Sequence, residues 1–285
     1  MEIVRAERGG KTGWYNSSVA IDSYGAGALI VFLTALLAVG ALVLLRKFMP
    51  KGSLRASQEV SGYLLSIVGT MYAVLLGLVV VDAMGKFQEA RNNVQAEANA
   101  LADVFLLSER FPEAKEKQIK NLCLHYVQRV VDVEWPMMDD GMIDTESRHT
   151  AINLMRAVQE IEPNGDAEIA VYPMAVQQVC QLWDCRRART NAAQFGVPGE
   201  EWLVLLVGGI ITLGFVCLFT VESFALQTCM TVMVSVLISL NLLLVLWFGY
   251  PFSGDRKVHP DPFKVDKKVF DNQFGHLHDQ INSKG

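Results

Sequence analysis

The chain has 285 residues, of which 51% are hydrophobic and 19% charged, and its formal net charge is −5. This composition is too apolar for a wholly soluble protein and too charged for one lying wholly in lipid. The mildly acidic balance, with no basic stripe in a compact module, argues against nucleic acid as a partner.

Residues 1–25 are polar, rich in Gly and Ser, and carry Trp14 and Tyr15, which suit a membrane surface. Four long apolar runs follow, at Ala26–Leu45, Tyr63–Val81, Trp202–Val221 and Cys229–Trp247, and none contains Lys, Arg, Asp or Glu. Each is close to the ~20 residues that cross a hydrocarbon core. Backbone polar groups in lipid must be satisfied within the segment, so the runs are read as helices. The first begins late and is followed by Arg46 and Lys47 rather than a small-residue cleavage site, so it is expected to remain in the mature protein. The link Arg46–Gly62 carries four basic residues, with Pro50 and Gly52 as breakers.

The second run passes into a charged helical stretch, Asp82 to Arg110, with only Gly85 as a candidate break. One Gly costs about 1 kcal/mol in a helix, so a single element is expected to cross the membrane and project well beyond it. Residues 112–201 are helical in pattern. Pro112 opens a helix whose face is Ile119, Leu122, Tyr126, Val130 and Val133. Asp139-Asp-Gly141 reads as a loop. A third helix covers Thr145–Glu162, with Ile152, Met155 and Val158 in phase. Pro163-Asn-Gly165 breaks it, and Asp166 caps a helix to about Gln194 in which Pro173 ends or kinks the first turn. No period-two pattern calls for strands.

A short link, Glu222–Gln227, joins spans three and four. The fold class is therefore an all-α membrane protein with four transmembrane helices and a helical bundle between spans two and three. Its divisions are a tail (1–25), spans one and two (26–81), a helical domain (82–201), spans three and four (202–249) and a basic C-terminal tail (250–285). Placing the termini and bundle inside puts 13 Lys and Arg on the inner flanks against four in the first link, which favours a cytoplasmic bundle and an inner-membrane location.

Several stretches together carry a family resemblance. They are Ala90-x3-Val94-x2-Glu97-Ala98 after span two, Glu134-Trp135-Pro136, Arg186 to Arg189 followed by Pro198 and Trp202, and Pro251-Phe-Ser-Gly254 after span four. In this order around four spans they resemble the bacterial bestrophin-like family known by its DUF4239 domain, over roughly residues 25 to 265. Asp82-Ala-Met stands where that pattern would lead one to expect an aromatic near the end of span two. The resemblance implies a relationship to bestrophins: pentameric ion channels with four-helix protomers, a cytosolic helical part, and a second transmembrane helix lining the neck.

On a helical wheel, Ser66, Gly69, Thr70, Ala73, Gly77, Val81 and Met84 share one side of span two, continued by Gln88, Arg91 and Gln95. Two readings stay open: a pore face, or tight helix packing, since small residues at four-residue steps are a packing device in membranes. Asp82 falls roughly opposite that stripe and reads as a snorkelling or paired surface carboxylate. Glu97, also opposite it, needs a partner if buried, and Arg186, Arg187 and Arg189 are the candidates; a gating or proton-binding carboxylate is the alternative. Thr231, Ser235, Ser239 and Asn241 suit hydrogen bonds across helices or back to their own helix. Pro251-Phe-Ser-Gly254 suits a sharp exit turn.

The sequence calls for no metal and no cofactor. The five Cys have neither CxxC nor His/Cys ligand spacing and read as free thiols. His276-x-His278 is read as part of a disordered end. No phosphate-binding Gly loop, His-Glu-x-x-His or Gly-x-Ser-x-Gly is present, so no enzyme activity is expected. The expectation is a homo-oligomer, pentameric by resemblance, embedded in membrane lipid and passing inorganic ions, with Arg91 as a basic ring that favours anions. The competing reading is a non-conducting scaffold or sensor whose bundle binds a partner.

Overall fold

The computed structural model describes residues 24–48, 58–218 and 223–282. The expected N-terminal interfacial segment and most of the first link lie outside them. The order of helices is α1 (Tyr24–Phe48), α2 (Gln58–Leu107), α3 (Glu113–Arg129), α4 (Trp135–Asp139), α5 (Thr145–Gln159), α6 (Asp166–Gln194), α7 (Gly199–Leu218), α8 (Phe224–Gly249) and α9 (Asp261–Asn282). No strand occurs among the described residues. Among the described residues four helices are long and apolar enough to cross a membrane: α1, the first part of α2, α7 and α8.

Helix α2 is 50 residues long, roughly 75 Å at 1.5 Å per residue. Gly85 does not interrupt it. In the apolar half, Tyr72 and Leu76 are buried with Leu205, Ile238 and Val245 from α7 and α8. Tyr72 donates its hydroxyl proton to the Leu205 carbonyl at 3.0 Å. This approach requires Gly208, where a Cβ would meet the Tyr72 ring at 2.6 Å. Across the bilayer region Thr34 and Ser239 share a hydrogen bond of 2.7 Å. Thr231, Ser239 and Asn241 return bonds to carbonyls four residues earlier. Both options that the sequence left open for these hydroxyls are therefore used.

In the polar half, Ala90, Val94, Ala98, Leu101, Val104 and Phe105 of α2 enter one core with residues of α3 to α6 and α9. The buried face of α3 is Ile119, Cys123, Tyr126, Val127 and Val130; Leu122 and Val133 are half-buried. On α5 the buried set is Ala151, Leu154, Ala157 and Val158, with Ile152 and Met155 at its edge. Asp144 caps α5, accepting from the Ser147 backbone at 3.1 Å and its hydroxyl at 2.7 Å. Pro112 is the residue before α3 rather than its first, and Gly165, at φ 124°, precedes α6. Helix α6 continues through Pro173, which is exposed.

Between α3 and α4 the chain makes one wide turn, Val130–Glu134, with Trp135 N–H bonded to the Val130 carbonyl. Pro136 cannot donate the bond that a regular helix needs at this point, and a wide turn accommodates the loss.

The segment read as a basic tail contains a docked helix. Phe263 and Phe270 of α9 are almost fully buried. Phe270 stacks on Phe105 with centroids 4.1 Å apart, and Phe263 meets Trp135 at 5.9 Å. The charges of this segment hid an apolar pair seven residues apart, which is two helical turns. Because Phe270 fills the bundle core, Phe270→Ala should cost about 3–5 kcal/mol. Thermal unfolding followed by circular dichroism in detergent checks this, and an unchanged Tm would remove α9 from the core.

Candidate functional site

Two features stand out on α2: an exposed stripe on one side and, in its polar half, a buried charge cluster on the other. Ser66, Thr70, Ala73, Gly77, Val81, Met84, Gln88, Arg91 and Gln95 are exposed in the protomer and Gly69 is half-buried. A Cβ built at Gly69 or Gly77 would have nothing within 4 Å, so none of the described helices of the same protomer packs on these small residues. The polar groups of the stripe are satisfied along the helix itself. Thr70 bonds the Ser66 carbonyl at 2.7 Å, and Gln88 and Gln95 donate to Asn92 and Asn99, each at 2.9 Å. Asp82 is half-exposed and pairs with Lys86 at 2.6 Å.

On the opposite side, Glu97 is fully buried. Arg189 of α6 grips it in a fork, Nε to Oε2 at 2.7 Å and Nη2 to Oε1 at 2.9 Å. The same Nη2 reaches Glu134 at 2.9 Å. Arg186 makes a second fork with Glu134, at 2.5 and 2.7 Å. Tyr126 donates to Glu97 at 2.5 Å and accepts from Arg186 at 3.3 Å. The guanidinium of Arg189 also lies over the Trp135 ring, 5.2 Å from its centroid. Arg187 points away and is exposed.

Two carboxylates and two guanidiniums thus close on one another with no net charge. Bidentate forks suit this site because the planar guanidinium matches a carboxylate edge. Burial opposes ionisation of Glu134, but Arg189 and Arg186 outweigh it and hold the carboxyl below its ordinary value of 4.5. Burial likewise disfavours the charge on Arg189, and Glu97 and Glu134 outweigh it, so the guanidinium stays protonated. A lowered carboxylate pKa contributes stability that is present above 4.5 and lost as pH falls through the folded value.

Glu134 and Tyr126 were not singled out as members of this cluster. The signal was present: Glu134 lies eight residues after Tyr126 and four after Val130, on the apolar face. The wide turn then aims it inward with Trp135. Arg129 of α3 extends the polar system to the buried cap Asp144, with bonds of 2.9 to 3.1 Å. Trp135 donates its indole N–H to the Val258 carbonyl at 3.1 Å, and Phe252 packs edge-on to its ring at 5.8 Å. Gly254 N–H reaches Asp139, which also pairs with Lys257. Glu134-Trp135-Pro136 and Pro251-Phe-Ser-Gly254, more than a hundred residues apart, therefore form one joint between the end of span four and the bundle.

Four apolar spans, with one of them extended into a helical bundle clamped by buried ion pairs, define a multi-pass all-helical membrane protein. The chain matches the bestrophin-like domain over residues 32–263 and belongs to the bestrophin-like family. Its fold is similar to that of a variant of the bestrophin homologue from Klebsiella pneumoniae, at 12% identity and a TM-score of 0.63, covering 87% of this chain and 99% of that one. The crystal structure of a variant described as a membrane protein aligns at 12% identity and a TM-score of 0.64, covering 87% of this chain and 98% of that one. No protein of curated function matches the sequence significantly.

Replacing Glu97 by Gln leaves Arg189 with an incomplete set of carboxylates in a dry core. The expected loss is about 3–5 kcal/mol, read as a lower Tm. Unchanged stability with an altered pH response of the protein would instead mark Glu97 as a functional carboxylate.

Proposed function

We propose that this protein is a homo-oligomeric ion channel in which the exposed stripe of α2 lines a central axis. The observation that carries this reading is the contrast between the two sides of α2. One side is buried against α6, α7, α8 and the bundle, whereas the stripe is exposed from Ser66 to Met84 with no described residue packed on Gly69 or Gly77, and its continuation at Gln88 and Arg91 faces an open cleft. An apolar-to-polar helix face exposed over this stretch of the longest element needs another copy, lipid or water against it. Small and weakly polar residues at Ser66, Gly69, Thr70 and Gly77, followed by amides at Gln88 and Gln95, suit a water-filled path better than a lipid-facing surface. Membership of the bestrophin-like family supports the same function, and by resemblance the oligomer is a pentamer.

The proposed orientation places the bundle and both termini in the cytoplasm, as the 13-to-four count of basic residues favours. Cys123 is fully buried, whereas Cys180 on α6 is exposed. A membrane-impermeant maleimide should modify Cys180 only from the cytoplasmic side. Modification from outside intact cells would reverse the orientation.

Arg91 is the one full charge on the stripe between Ser66 and Gln95. Repeated around an axis it forms a basic ring that raises the local anion concentration. The purified protein in planar bilayers should pass chloride, and Arg91→Glu should shift the reversal potential in a salt gradient towards the cation limit. An unchanged potential removes Arg91 from the pore, and a native potential near the cation limit removes the anion preference. Intact oligomers that fail to conduct across salts and pH would favour a membrane-anchored scaffold, and a monomer by mass measurement would remove the central pore.

A further inference from the structure

A cleft of about 850 Å³ separates the polar half of α2 from the segment that leads into α9. Its α2 wall holds Gln88, Arg91 and Gln95, and its other wall holds His259 and Asp266. Asp266 is placed where a carboxylate fares badly. It lies on α9 between Phe263 and Phe270, both of which are inserted in the core. Its Oδ2 atom is buried and has no hydrogen-bond partner among the described residues.

The charged groups around it are committed elsewhere or stand off at the rim. Lys267, its neighbour on α9, pairs with Asp132 at 2.7 Å. Lys257 pairs with Asp139. From α2, Arg91 lines the cleft but stays exposed. From α3, the group facing Asp266 is the buried Cys123 thiol, which supplies no positive charge. Asp261, at the start of α9, adds a like charge at the cleft edge. Asp266 as a whole is half-buried at the cleft wall, but an ionised carboxylate with one oxygen buried and unpaired is costly, and a protonated one much less so.

We propose that Asp266 is a proton-binding site that clamps α9 against α2 and α3 when protonated and loosens that helix when ionised. Burial pushes its carboxyl up from 3.8 to about 7, which places the transition near neutral pH. The sign follows from linkage. A carboxyl whose docked pKa is raised favours the docked state fully below 3.8, and this preference is gone once pH exceeds about 7. Between those limits docking strengthens about tenfold for each pH unit of acidification. The site acts on the docking of α9 whether or not the protein conducts.

Hydrogen exchange on the full-length protein in detergent, corrected for intrinsic rates, tests this. Protection of amides in 261–272 should rise about tenfold per pH unit from pH 7 to pH 5. Asp266→Asn, which is neutral at every pH, should keep α9 protected throughout and abolish the dependence, while His259→Gln should retain it. Three results would overturn the proposal: a flat profile in the native protein, an unchanged profile in Asp266→Asn, or loss of the dependence in His259→Gln, which would put the proton on the imidazole. Asp266→Ser provides the same readout if the Asn variant does not fold.

Discussion

The structure depends on the closed set of charges formed by Glu97, Glu134, Arg186 and Arg189. Each carboxylate receives hydrogen bonds from an arginine fork, and Tyr126 bridges the two pairs. Four full charges removed from water are tolerable only because each is matched in charge and geometry. The cluster ties α2 to α6 and, through the wide turn that carries Glu134, to the α3–α4 corner. Since α2 is also a membrane span, this polar lock fixes where the bundle sits along the helix that leaves the bilayer. Apolar packing resists sliding much less than two directed forks do.

The joint at Trp135 works in the same direction from the other end of the membrane domain. The chain leaves α8 through Pro251-Phe-Ser-Gly254, where Phe252 packs on Trp135 and Gly254, at φ 82°, makes the turn. Trp135 shares its two faces and its indole N–H among Arg189, Phe252, Phe263 and Val258. One indole thus links the charge cluster, the exit from span four and the C-terminal helix. With spans two and four both held to the bundle, membrane and extramembrane parts are mechanically connected at two points, which suits a protein whose soluble part influences its membrane part.

The stripe of α2 is exposed together with Ile67, Met71, Val74 and Leu78, and is set apart from them by its small and weakly polar residues. Glycines in membrane helices commonly admit a neighbouring backbone, and Gly208 does so for Tyr72. Gly69 and Gly77 admit nothing from their own chain. Tight packing against the described residues of the protomer therefore does not account for them; another copy, lipid and a water-filled axis are the surroundings compatible with their exposure.

Much of the architecture was legible in the sequence because it rests on local properties. Runs without charge mark spans, the absence of a breaker after Val81 marks the long helix, and three- and four-residue spacing marks the bundle. Glu97 was legible as a carboxylate in need of a partner because it sits on the apolar side of α2. The sequence could not choose Arg189 over Arg187, since both lie on one helix and only the direction in which each side chain leaves it decides. Nor could it read α9, whose two core phenylalanines are separated by four charged positions out of six, or pair Glu134 with Arg186 across 52 residues. Those outcomes belong to the tertiary structure, because burial and charge pairing depend on which faces meet in space, and local periodicity carries no record of that.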